Sequence, residues 1–148
     1  RRSYPHSNWL TDDSNYLFVF EESNVYDMAV YDVSDPTNMD LVRTFQHRAE
    51  SRKDARPHNG QVRGNHLIVA YYGIGLRIFD ISDPTQPVET GKFETLRDPL
   101  RLGIIPSGLS LNKISPLFEG SWNVYSYLPS GNILLSDTIL GTHVFRLS

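Results

Sequence analysis

The sequence lacks cysteine, long apolar runs and any excess of positive charge. With no Cys in 148 residues, neither disulfide bonds nor thiolate chemistry is available. No apolar run approaches the ~18 residues that a membrane-spanning helix requires, so we expect no membrane span. The 14 Lys and Arg against 17 Asp and Glu give a net charge of -3, which argues against a dedicated nucleic-acid binder.

A nearly exact internal repeat is the main positive feature. Residues 31–38 read YDVSDPTN and residues 79–86 read FDISDPTQ. Repetition of this kind predicts an architecture in which one supersecondary unit is used several times. At 39% hydrophobic and 21% charged residues, the composition is that of a globular domain.

The repeat extends beyond these octapeptides, and a third copy follows at residues 131–147. The step from Asn65 to Gly75 is 10 residues, and the step from Gly131 to Gly141 is also 10. In the first copy the corresponding step, from Asn15 to residue 27, is 12, which indicates a hairpin two residues longer. Three copies therefore share one register.

Each copy is typical of short strands covered on both faces. The strands are rich in β-branched and aromatic residues, and Ser-Asp-Pro supplies a turn through Asp–backbone hydrogen bonds and the fixed φ of Pro. Four short antiparallel strands per unit predict an all-β fold of about three β-propeller blades in a single domain. The predicted blades cover 6–46, 58–95 and 121–148, with a long insertion at 96–120.

The motifs resemble those of the LVIVD-repeat β-propellers, and more closely those of the choice-of-anchor B proteins. The matching segments are HSNWLTDD at 6–13, YDVSDP at 31–36, HN at 58–59, GLRIFD at 75–80, GSWNVY at 120–125 and LPSGN at 128–132. The resemblance implies a secreted or cell-surface propeller of largely unassigned function. It also implies that this chain is the C-terminal part of a longer protein.

Three blades do not close a propeller ring, which typically has four to eight. The third copy reaches the end of the sequence after its third strand. We therefore expect an incomplete ring that relies on a missing N-terminal portion, another chain or a symmetry mate.

The shared register predicts where a site would lie. His6, His58 and Trp122 each begin the first strand of a blade at one mouth of the central channel. Because the first two strands run antiparallel, the end of the second strand lies beside these residues. The expected neighbours are Glu21 for His6, Tyr71 for His58 and Asp137 for Trp122, with Asn59 close by.

One interpretation of this ring of side chains is a polar-ligand or divalent-metal site. His6, Glu21, His58 and Asp137 are the predicted metal ligands: imidazole with carboxylate suits Zn, whereas carboxylate, amide and carbonyl oxygens suit Ca. The interpretation that the sequence favours over this one is a hydrogen bond between a His and an acid that ties the first two strands of one blade together. No short metal-spacing motif such as H-E-x-x-H is present.

Three functions remain open on this basis. The first is a non-enzymatic module for protein or surface interaction, favoured because no catalytic motif is found. The second is a metal-dependent, lactonase-like hydrolase with its site at the channel mouth. The third is a carbohydrate-binding propeller that uses its Trp and Tyr side chains, although large aromatics in small stacked sheets usually belong to the core.

Overall fold

Three antiparallel sheets make up the described part of the chain. A computed structural model describes residues 4–22, 27–45, 56–95 and 120–147. The strands are β1 Pro5–Leu10, β2 Tyr16–Glu21, β3 Met28–Asp32, β4 Asp40–Phe45, β5 Pro57–Arg63, β6 His66–Tyr71, β7 Gly75–Asp80, β8 Val88–Phe93, β9 Ser121–Tyr125, β10 Asn132–Asp137 and β11 Gly141–Arg146. The prediction of an all-β fold with three blades is confirmed. The insertion predicted at 96–120 lies outside the described residues except for Gly120.

Each sheet is a simple meander. Strands β1 to β4 form blade 1, β5 to β8 form blade 2, and β9 to β11 form blade 3, with every neighbouring pair antiparallel. In the described ranges the third blade thus has three strands where the others have four. Within the same ranges, no helix is long and apolar enough to cross a membrane.

The first strands of the three blades lie side by side. Strand β1 contacts β5, and β5 contacts β9. The outermost strands, β4 and β8, are largely exposed along their length. This arrangement places the start of each first strand in one common region, as expected for blades around an axis.

Blade 2 is covered on both faces. Alternate side chains of a strand point to opposite faces, so Leu67 and Val69 of β6 pack toward blade 1, whereas Ile68 and Ala70 pack toward blade 3. All four are fully buried. The first core adds Phe18, Phe20, Met28, Val30 and Val62, and the second adds Val124, Ile133 and Leu135.

The repeated Ser-Asp-Pro segments are turns, as the sequence predicts. Asp32 accepts hydrogen bonds from the Ser34 backbone N–H and hydroxyl at 2.9 and 2.6 Å, and Asp80 accepts the equivalent pair from Ser82 at 2.8 and 2.7 Å. The second Asp of each motif accepts matching bonds from the Thr two residues later. These hydrogen bonds hold the pKa of all four carboxyls below the ordinary value.

Candidate functional site

A β-bulge lies at the same place in all three blades. In each, the pairing between the first and second strands skips one residue near the start of the first strand. The skipped residues are His6, His58 and Trp122. A bulge re-aims the side chain of the extra residue and bends the strand, so the repeat directs three ring side chains to one place.

The ring of His58 contacts the rings of both His6 and Trp122. The His6 and His58 ring centroids are 4.2 Å apart, and the His58 and Trp122 centroids are also 4.2 Å apart. Each ring comes from a different blade. The cluster therefore lies where the three first strands converge, at the position that the sequence assigns to the channel mouth.

The carboxylate beside the two histidines belongs to Glu22, and the expectation for Glu21 needs correction. Because of the bulge, Glu21 pairs with Pro5, and its buried carboxylate accepts a hydrogen bond from the Tyr4 N–H at 2.7 Å. The Glu22 carboxylate lies 3.8 Å from His6 Nδ1 and 3.8 Å from His58 Nε2. Because the bulge adds one residue to β1, the acidic neighbour of His6 is Glu22, one position later than the predicted Glu21.

The same shift occurs in blade 2. Tyr71 is fully buried in the core between blades 1 and 2, whereas the ring centroid of Tyr72 lies 4.9 Å from that of His58. The Tyr72 hydroxyl donates a hydrogen bond of 2.6 Å to Glu22 Oε1. Burial, and then this bond to a carboxylate, raise the pKa of Tyr72. Tyr72 thus links blade 2 to the acid of blade 1.

Asp137 has a local role at the turn between β10 and β11. Its Oδ1 accepts hydrogen bonds from the backbone N–H groups of Ile139 and Leu140, both at 2.9 Å. Its backbone pairs with Ser121 rather than Trp122. Among the described residues, the group placed to hold a metal ion consists of His6, Glu22 and His58; Asp137 and Glu21 are not part of it.

The tautomer of His58 follows from its surroundings. His58 Nδ1 lies 2.5 Å from the Trp122 carbonyl oxygen, a distance that requires a proton on Nδ1. Asn59 Nδ2 donates to the same Trp122 carbonyl oxygen at 3.3 Å; it lies 2.8 Å from His58 Nδ1, which in this tautomer cannot accept a hydrogen bond from it. The lone pair of the neutral ring is therefore on Nε2, which faces Glu22.

Burial lowers the pKa of His58. The hydrogen bond to Trp122 and the negative charge of Glu22 oppose this shift, whereas the neighbouring His6 adds to it. The pKa is below the ordinary value of 6.5, so His58 is neutral at neutral pH. A neutral imidazole is the form that binds metal ions.

Aromatic side chains near the second and third blades are engaged in packing. The Trp9 and Tyr127 rings stack with centroids 6.0 Å apart, and the Tyr127 hydroxyl donates to the Val62 carbonyl. Tyr125 contacts Tyr127 edge-on at 6.4 Å. These contacts join the three blades. Carbohydrate binding by these aromatic side chains stays a prediction.

The sequence shows why the partners of the bulged residues were predicted one position too early. Glu21-Glu22 and Tyr71-Tyr72 are doublets of the same residue type, so counting along a regular strand found the right chemistry at the wrong member of each pair. The sequence does not show that the pairing skips one residue at the start of the first strand of every blade.

Comparison with known families agrees with this repeat structure. The LVIVD repeat model matches residues 13–46 and 59–95, which include most of blade 1 and of blade 2. One matched segment thus lies in blade 1 and the other in blade 2. Blade 3 lies outside both matched segments, and no curated protein or solved structure matches the chain. The LVIVD repeats and the three sheets together support a β-propeller-like repeat module.

Proposed function

We propose that this chain is part of an extracellular β-propeller that works by binding protein, with blade 3 as its docking surface. The observation that carries the proposal is the open state of blade 3. Within the described residues, blade 2 covers one face of this sheet, whereas the opposite face and the outer edge of β11 are uncovered.

The uncovered face carries a row of apolar side chains across three strands. Leu134 of β10 pairs with Tyr125 of β9 on one side and with Val144 of β11 on the other. Tyr125 is 47% exposed and Val144 is 62% exposed, with Leu134 half-buried between them. An apolar row on a sheet face is typical of a surface that packs against another sheet.

A groove beside β11 matches the position of a fourth strand. It has a volume of about 500 Å³ and is lined by Ile78 and Phe93 of blade 2 and by Phe145 of β11, among others. In blades 1 and 2 a fourth strand pairs with the third strand at the equivalent edge. A strand added to β11 would satisfy its outer backbone groups and cover the groove.

The occupant that fits this surface is further propeller polypeptide: one strand at the β11 edge and one blade on the open face. A missing N-terminal portion, another chain or a second copy of this chain would each supply it. The resemblance to choice-of-anchor B proteins supports both the secreted or surface location and the placement of this chain at the C-terminal part of a longer protein.

Sedimentation velocity of the purified chain over a range of concentrations tests the proposal. We expect association in the micromolar range, and Val144→Lys should weaken it at least tenfold because a charge would have to be buried. Val88→Lys is the matched control, since Val88 is 60% exposed on β8, away from this face. A chain that stays monomeric at every concentration would exclude a second copy of this chain as the occupant, and equal effects of both variants on association would contradict the assignment of the docking surface to blade 3.

Metal-dependent hydrolysis is a second candidate function, favoured by the cluster of His6, Glu22 and His58. Two imidazoles and one carboxylate are a ligand set found in catalytic zinc sites that keep a position for water. This function first requires that the cluster bind a metal ion.

A further inference from the structure

His6, Glu22 and His58 are placed as three ligands of one metal ion. Their ligand atoms all lie within 4.8 Å of one another. The three residues come from separate parts of the chain: the start of β1, the residue after β2, and the start of β5. Such a convergence is produced by the fold and by the two bulges, and no short sequence motif reveals it.

The distances suit a small divalent ion. The two imidazole nitrogens each lie 3.8 Å from a Glu22 carboxylate oxygen. Around a tetrahedral zinc ion with bonds of 2.0–2.1 Å, neighbouring ligand atoms lie about 3.3 Å apart. The two His–Glu distances would have to shorten by roughly half an ångström to reach this spacing. The two imidazole nitrogens lie within 4.8 Å of each other, so they would have to approach by at most about 1.5 Å.

The groups around the cluster support its use as a metal site. A metal-bound histidine usually donates its other ring N–H to a carbonyl or carboxylate, and ligating carboxylates are themselves hydrogen-bonded. His58 Nδ1 has the Trp122 carbonyl at 2.5 Å, and Glu22 Oε1 receives the Tyr72 hydroxyl at 2.6 Å. These two bonds hold both side chains with their remaining lone pairs inside the cluster.

The burial of these side chains also distinguishes the cluster from a surface ion pair. The side chains of His58 and Glu22 are 4% and 10% exposed, and that of His6 is 33% exposed. A metal ion held here would be shielded on the side of blades 2 and 3 and open to solvent beside His6. The cluster carries one carboxylate, so its chemistry favours ions that prefer nitrogen ligands over Ca²⁺.

We propose that His6, Glu22 and His58 bind one divalent transition-metal ion of the zinc class at the junction of the three blades, with at least one coordination position open to solvent. The site is independent of the docking surface on blade 3, because it uses none of the residues of that face. It is a precondition for the hydrolase function and does not by itself establish it.

Isothermal titration of the tag-free, chelator-treated protein with Zn²⁺ tests the proposal, with Co²⁺ absorption as a reading of coordination geometry. We expect one Zn²⁺ per chain and a visible absorption band for bound Co²⁺. Glu22→Gln keeps the shape and the acceptor for Tyr72 but removes the anionic ligand, and it should weaken binding at least a hundredfold. Tyr72→Phe removes only the supporting hydrogen bond and should weaken binding by about tenfold to a hundredfold.

His66→Asn is the matched control, because His66 is an exposed strand histidine outside the cluster. It should leave Zn²⁺ affinity unchanged. Circular dichroism shows whether each variant keeps the β-fold, and His6→Asn gives a second ligand variant at an exposed position. Absence of Zn²⁺ binding by the folded protein, or equal affinity in Glu22→Gln and the parent, would overturn the proposal and leave a hydrogen-bonded junction between blades.

Discussion

Blade 2 and blade 3 are built from the same kind of strand but differ in what covers them. The second strand of blade 2, β6, has five consecutive fully buried residues from Leu67 to Tyr71, because a blade packs on each face. The second strand of blade 3, β10, alternates between half-buried and buried residues along its length. Both strands have a hydrogen-bonded partner on either side.

This difference shows that the repeated sequence determines the strands of each blade, whereas packing against the neighbouring blades determines how stable each blade is. Backbone pairing is equivalent in β6 and β10, so the contrast between them arises from apolar burial on the second face. Burial contributes roughly 25 cal/mol per Å² of apolar surface. A blade at the end of the described stack lacks that contribution on one side.

Truncation of adjacent leucines in β10 should give the largest effect and test this contrast within one strand. Leu135 is fully buried against blade 2, whereas Leu134 faces the open side. We expect Leu135→Ala to cost about 2–5 kcal/mol of unfolding free energy, and Leu134→Ala to cost about 1 kcal/mol or less. Urea unfolding measures both. Equal costs would show that the open face is covered in solution.

A glycine at the covered face of blade 2 provides the next test. A Cβ added to Gly60 would lie 2.4 Å from Cζ of the buried Phe20 ring. We expect Gly60→Ala to cost about 1–3 kcal/mol, because the core between blades 1 and 2 has no room for it. Gly91→Ala is the control, since its nearest atom would be at 3.4 Å. A neutral Gly60→Ala would mean that the two blades are not closely packed.

The pH dependence of stability should show a smaller effect at the three-blade junction. The folded pKa of His58 is below the unfolded value of 6.5, so the unfolded chain takes up the proton first as pH falls. The contribution of His58 to the free energy of unfolding is therefore fully present above pH 6.5, and it is lost as pH falls toward the folded pKa. His6 opposes protonation of His58 and Glu22 favours it.

Urea unfolding at about pH 8 and about pH 5.5, with chelator present, measures this contribution. His58→Asn retains an N–H donor near the Trp122 carbonyl and removes the titrating ring. The loss of stability between the two pH values should be smaller in the variant than in the parent. An identical loss in both proteins would assign the pH dependence to other groups.

The fold was predictable from the sequence because its signals are local and repeated. Strand composition, the Asp-Pro turns and the constant step between Asn65 and Gly75 or Gly131 and Gly141 each act within a few residues. The convergence of His6, His58 and Trp122 also followed from register alone. These features need no knowledge of side-chain packing.

The partners of those residues were not predictable, because a bulge leaves no mark in a single sequence. Successive side chains of a strand point to opposite faces of the sheet. A residue that is skipped in the pairing therefore changes which side chains of the neighbouring strand lie beside it. As a result Glu22 and Tyr72 line the site, whereas Glu21 and Tyr71 turn away from it. Asp137 was displaced in the same way and holds a turn.

Native-state hydrogen exchange of β6 and β10 tests most directly whether covering by neighbouring blades sets the stability of each blade. Both strands are flanked by two strands, so their amides differ mainly in the packing of the second face. We predict that the amides of β6 exchange only through global unfolding, and that those of β10 exchange faster through local opening of blade 3. Equal protection of the two strands would contradict this view and show that stability lies within each blade.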